Sequence, residues 1–200
     1  MAITVEALKG ASLTQALPAL ARLRITVFRD WPYLYDGTLA YEQDYLAKFG
    51  RAKDAVVVVA RDGDDIIGVA TASPLREHTE RFAPLFAACG FDPDRIFYFG
   101  ESVLLAAYRG RGLGHAFFDH REAHARAARV NGLPYTHSAF CGVIRPVEHP
   151  ARPQAYVPLD AFWTKRGYVK QEGMLGSYSW QDIGEAHETE KPMQFWMKPL

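Results

Sequence analysis

The chain has 200 residues, 23 basic and 23 acidic side chains, and 48% hydrophobic residues. That length suits one ordinary domain over residues 1–200, with a core large enough to need neither a disulfide nor a metal. A formal net charge of zero removes the usual mark of a general nucleic-acid binder, and no apolar run approaches the ~20 residues that span a bilayer. The first residues carry no basic stretch followed by an apolar one, and Cys89 and Cys141 form no CxxC pair. The expectation is a reduced, cytoplasmic protein with neither nucleic acid nor membrane among its partners.

Ile3 to Ala7 alternates apolar with polar residues and reads as a first strand. Leu13, Leu17, Leu20, Leu23 and Val27 recur at helical spacing, with Pro18 either starting or kinking the helix and Trp31-Pro32 ending it. Leu39 to Phe49 reads as a second helix closed by Gly50. Ala55 to Ala60 and Ile66 to Ala72 read as a hairpin turned by Asp62-Gly63-Asp64-Asp65. A helix is expected from Arg76 to Cys89 and a long strand from Ile96 to Leu105. A glycine turn, a helix from about Leu113 to Val130 and a strand from Tyr135 to Ile144 follow. Arg145 to Pro158 holds four prolines and reads as an irregular loop. Leu159 to Arg166 reads as a short helix, and Tyr168-Val169 and Met193 to Met197 as terminal strands. This order predicts an α/β domain with a mixed central sheet and helices on both faces.

The turn Arg109-Gly110-Arg111-Gly112-Leu113-Gly114 lies between a strand and a helix. Glycines permit close backbone approach, free amides at a helix start favour anions, and two arginines add charge suited to phosphate. A pyrophosphate cradle follows. A Walker loop would need Gly-Lys followed by Ser or Thr, which is absent, and a dinucleotide fingerprint would need one more residue between the last two glycines.

Here the sequence resembles the GNAT family of acyl-CoA-dependent acyltransferases. The family's phosphate loop reads Arg/Gln-x-x-Gly-x-Gly/Ala, which Arg109, Gly112 and Gly114 match. Phe162-Trp163-Thr164-Lys165-Arg166-Gly167-Tyr168 is similar to the family's Phe-Tyr-x-x-x-Gly-Phe, and the element order agrees over nearly the whole chain. The resemblance implies a GNAT-like fold and acetyl-CoA as co-substrate, with no metal. It places Val103, Leu104 and Leu105 on the pantetheine arm. The loop from Arg109 through Gly110, Arg111, Gly112, Leu113 and Gly114 to His115 would hold the pyrophosphate.

Aminolysis of a thioester needs a neutral amine, and deprotonating an alkylamine of pKa about 10.4 at pH 7 costs ~4.6 kcal/mol. A base within reach removes much of that cost. Glu101, inside an otherwise apolar strand just before the cofactor segment, is the candidate, since family members use a glutamate near this place. The other reading is a carboxylate paired with an arginine, or one that only positions the amine. Trp163 stands where the family often has a tyrosine acid. Tyr168 and Tyr178 are replacements by residue type only.

His137 and Cys141 share a strand face, which suits either a nucleophilic pair or a buried thiol beside a cleft histidine. His120 and His124 are spaced i,i+4 but lack the HExxH pattern, so no metal site is expected. Arg145 and Arg152 in the long loop could receive an acidic acceptor, or the loop could pack on the surface or between two copies of the chain. Phe28, Trp31, Tyr33 and Tyr35 are candidates for an acceptor wall. The expected function is N-acetyl transfer from acetyl-CoA to a small-molecule or peptide amine. The alternative is a CoA-binding sensor or partner module with little catalysis.

Overall fold

A computed structural model describes residues 2–200. The strands are β1 (Ile3–Leu8), β2 (Val56–Asp62), β3 (Asp65–Pro74), β4 (Ile96–Leu104), β5 (Arg129–Val130), β6 (Leu133–Pro134), β7 (His137–Val143), β8 (Val169–Trp180) and β9 (Thr189–Pro199). The helices are α1 (Gly10–Phe28), α2 (Leu39–Phe49), α3 (Thr79–Ala88), α4 (Leu113–Ala127) and α5 (Asp160–Lys165). Seven strands form one sheet in the order β1-β2-β3-β4-β7-β9-β8, and β5 and β6 form a separate small hairpin. All sheet pairings are antiparallel except β4 with β7.

Two-residue alternation sorts the core. Val57, Val59, Val69 and Val103 pack on α1 and α2 through Leu13, Leu20, Leu23 and Leu46. Phe97, Phe99 and Phe140 point to the other face, where they meet Phe118, Tyr168 and Trp196. On the first face Ile96, Tyr98 and Ala139 pack against Phe82 and Phe86 of α3. Helix α1 runs through Pro18 and begins three residues before the expected Leu13.

Three expectations shift. The helix after the glycine turn ends at Ala127, because Arg129–Val130 pairs with Leu133–Pro134 across Asn131-Gly132. The segment after Pro74 opens as a 3-10 turn, Leu75–His78, before α3 begins. Strands β8 and β9 span 12 and 11 residues, far beyond the short terminal strands expected. β8 is the sheet edge; its polar, glycine-bearing middle and a register shift between Lys170 and Leu175 erase the alternation that would reveal it.

Two irregularities build the site. β4 and β7 pair only at Ile96–His137, Phe97–Ser138 and Tyr98–Ala139, so the strands part beyond Tyr98. The β3–β4 ladder also breaks between Ala70 and Ala72, opposite Gly100 and Glu101. At this bulge the Glu101 amide donates to Thr71 Oγ1 at 3.2 Å. A Cβ on Gly100 would lie 2.5 Å from that same hydroxyl, so the bulge requires glycine there.

Candidate active site

Glu101 leaves the bulge on the α1–α2 face and is 7% exposed. Arg24 Nη1 of α1 donates to Glu101 Oε2 at 2.7 Å, and Arg24 Nε donates to Glu42 Oε2 of α2 at 2.5 Å. Glu42 is fully buried, and its other oxygen accepts from the Tyr35 hydroxyl at 2.9 Å. Glu101 Oε1 is buried and has no hydrogen-bond partner among the described residues. Burial pulls on the Arg24 guanidinium, but Glu101, Tyr45 and Glu42 outweigh it and hold the group charged well above its ordinary value. Two carboxylates thus share one cation.

Arg24, Tyr35 and Glu101 line a pocket of about 130 Å³ with Phe28, Tyr33, Tyr45, Tyr98, Gly100, Cys141, Tyr178, Trp180 and Met193, and Glu42 lies behind them. The pocket sits on the face of α1 and α2 at the point where β4 and β7 separate. Phe28, Tyr33 and Tyr35 join the wall as expected from the sequence. Trp31 stands apart, its ring against those of His149 and Tyr156. Burial pushes the phenols of Tyr33, Tyr45, Tyr98 and Tyr178 up, so they stay neutral.

Arg24 and Glu42 escaped the sequence reading. Their signal was a charge inside an apolar stripe: Arg24 follows Leu20 by four positions, and Glu42 precedes Leu46 by four. A charge there must be paired.

The cofactor-binding candidates occupy the gap and the turn after it. Leu105 N–H donates to Ile67 O of β3 at 3.0 Å, so Leu105 and Val103 turn their backbone polar groups to β3. Leu104 and Ser102 turn theirs toward the gap; the two-residue alternation would have singled out Ser102. Arg109 Nε donates to Leu104 O at 3.3 Å, and Arg111 Nη2 donates to Ala107 O at 3.1 Å. Gly110 and Gly112 have φ of 77° and 81°, and a Cβ on either would meet nothing within 4 Å. Gly112 caps α4 without a side chain. The Leu113 and Gly114 amides therefore lie at a helix start with no acceptor in the helix. The His115 amide donates to Gly112 O at 2.9 Å, and its ring rests 4.9 Å from that of Phe162. An extended arm along Leu104 and an anion over open glycines and free amides fit CoA: a strand edge meets the amide-bearing arm and a helix start meets the pyrophosphate.

Other candidates are placed elsewhere. His137 and Cys141 lie four strand steps apart, roughly 13 Å, so they form no catalytic pair. Burial pushes the Cys141 thiol up to about 12, and Tyr98 OH lies 3.1 Å from its sulfur. A protonated thiol is no nucleophile. Tyr168 bonds Ser138 and Glu122 inside the α4-side core, away from the pocket. Trp163 packs on Phe140 and Trp196. His124 Nε2 bonds Asp54 O at 2.7 Å, and among the described residues no cluster of three metal-ligating side chains occurs. Arg145 is spent as well: it grips Asp182 at 2.6 and 2.9 Å and donates to the carbonyls of Pro32 and Tyr33. It cannot serve the acidic acceptor envisaged from sequence.

Among curated proteins, none matches the chain. Solved structures match over almost its full length. A ribosomal-protein-alanine N-acetyltransferase from Brucella melitensis aligns with a TM-score of 0.60 at 16% identity, covering 98% of this chain and 99% of that one. An N-acetyltransferase from Staphylococcus aureus Mu50 gives 0.59 at 12% identity, covering 100% and 99%. The ribosomal-protein-S18-alanine N-acetyltransferase from Escherichia coli gives 0.57 at 10% identity, covering 99% and 94%. These likenesses establish the fold. The model of the Acetyltransferase (GNAT) family matches residues 20–141, more than half of the chain, and that span holds Arg24, Glu101, the glycine turn and the parting strands. The chain belongs to the GNAT acetyltransferase family.

Proposed function

We propose that this protein transfers an acetyl group from acetyl-CoA to a primary amine seated in the aromatic pocket, with Glu101 as proton acceptor. One observation carries the reading: Glu101 Oε1 is buried, unpartnered among the described residues, and lines a pocket at the mouth of the β4–β7 gap. Acetyl-CoA supplies an activated carbonyl when bound. The Leu104 and Ser102 backbone would hold its arm, and the Leu113 and Gly114 amides with Arg109 and Arg111 its pyrophosphate.

Glu101 draws the substrate ammonium by charge and takes its proton, directly or through a water. Arg24 fixes the carboxylate through Oε2, which leaves Oε1 for the amine. The buried phenols of Tyr98 and Tyr178 remain neutral, so they serve as hydrogen-bond donors and not as bases. A buried carboxylate oxygen left without a partner is costly to keep, which favours turnover over a sensor that only binds CoA.

Glu101→Gln keeps the shape and removes the base. The expected result is a loss in kcat of about 10²–10⁴-fold with acetyl-CoA affinity unchanged, read by thiol release and by calorimetry. Full activity of the variant would remove Glu101 from the reaction.

A further inference from the structure

The same pocket restricts which amine enters, an inference that rests on the amine-transfer reading above. Its charges can be counted group by group. Glu42 has both oxygens occupied, one by Arg24 and one by Tyr35. Glu101 has one occupied and one open. Two carboxylates share one guanidinium, and Glu101 Oε1 is the carboxylate oxygen left without a partner among the described residues. The tyrosines lining the rest of the wall are neutral, and Phe28, Trp180 and Met193 add only apolar surface.

A first ammonium therefore finds a partner at Glu101. A second finds no open carboxylate among the residues lining the pocket. A substrate carboxylate faces the open oxygen of Glu101 and finds no uncommitted cation in the lining. Arg24, which already serves both glutamates, is the only cation of the lining. Two cations stand behind Trp180 and both are committed: Arg145 to Asp182 and two backbone carbonyls, and Lys191 to Asp182 and Glu185. Size sets the remaining limit. A cavity of ~150 Å³ admits benzene, and this pocket measures about 130 Å³. It seats one ring-sized apolar group, faced by rings that favour flat or apolar groups.

We infer that the acceptor is a monocationic primary amine bearing one ring-sized apolar group, with no carboxylate beside the amine and no second charge. Two matched pairs test this with acetyl-CoA as donor: 2-phenylethylamine against phenylalanine, and hexylamine against 1,6-diaminohexane. The members of each pair differ by one charged group. The uncharged-body member of each pair should be acetylated with kcat/KM at least tenfold higher, read by release of CoA thiol. Equal or reversed rates in either pair overturn the inference while leaving amine transfer intact.

Calorimetry with the same four amines, in the presence of CoA, separates the two readings. Selective binding of the favoured members without thiol release upholds the pocket's selectivity and overturns transfer. No binding and no transfer of any of the four overturns the inference. Glu101→Gln should weaken 2-phenylethylamine binding at least tenfold, and an unchanged affinity would place the ammonium elsewhere and overturn the assignment.

Discussion

Arg121 shows how one side chain supports the Glu101 bulge without lining the pocket. It is 1% exposed, on the far face of the sheet beneath the bulge. Its Nε donates to Phe117 O at 3.1 Å, and Nη1 reaches Thr71 O at 3.3 Å and Glu101 O at 3.5 Å. The rings of Phe99 and Phe118 lie 4.6 and 4.8 Å from its guanidinium carbon. Burial pulls this guanidinium down to about 10, which keeps it charged at neutral pH. The bulge turns the two carbonyls out of the β3–β4 ladder, and Arg121 satisfies them. Arg121→Met keeps the stem and orphans both oxygens. Urea unfolding should show a loss of about 3 kcal/mol, since each buried unpaired carbonyl costs about 1–3 kcal/mol. A loss below about 1 kcal/mol would mean that the bulge holds itself.

At the scale of elements, the turn between β4 and α4 carries its own prediction. Gly112 lies at φ 81° with open space around its missing Cβ, so alanine there meets no neighbour. The variant pays only the left-handed backbone cost of about 1–2 kcal/mol. The added methyl instead occupies the space where the pyrophosphate would rest. Acetyl-CoA at 100 times its Kd adds ~2.7 kcal/mol to the native protein, a rise in Tm of roughly 5–11 °C. Gly112→Ala should retain less than half of that rise at the same concentration. An undiminished rise would place the pyrophosphate away from Gly112. This turn was legible in the sequence because its chemistry is local: glycines, arginines and a helix start within six residues. Glu101 was legible as a lone charge in an apolar strand. The Arg24–Glu42–Glu101 cluster was not, because its members are up to 77 positions apart and only the packing of α1 and α2 on β4 joins them. Strand β8 was lost for the opposite reason: an edge exposed along much of its length has no pattern to display.

Across the whole molecule, Glu122 ties the C-terminal elements to α4. It is 3% exposed and receives Lys198 Nζ of β9 at 2.9 Å, Arg166 Nη2 after α5 at 3.0 Å and Arg126 Nη2 at 3.2 Å. Burial pushes its carboxyl up, but the bonds from Lys198 and Arg166 outweigh this and hold it below the usual carboxylate value. A carboxyl depressed in the folded state stabilises fully above its unfolded pKa of about 4.3, and that stability is lost as pH falls through the lower folded value. The urea midpoint should therefore drop between pH 5 and pH 3, and Glu122→Gln should flatten that slope while lowering the midpoint at pH 7. An identical slope in the variant would remove Glu122 from the acid response.

Arg24 has a consequence for how such an enzyme can change. One guanidinium joins Glu101 on β4 to Glu42 on α2 and rests 4.5 Å from the ring of Tyr45, which lines the pocket. A substitution on α2 that admits a larger or differently charged amine therefore disturbs the grip on Glu101 in the same step. On the proposed function, acceptor range and turnover are coupled through this one side chain. New substrates would come more readily at Met193 or Trp180, whose side chains shape the cavity without holding Glu101.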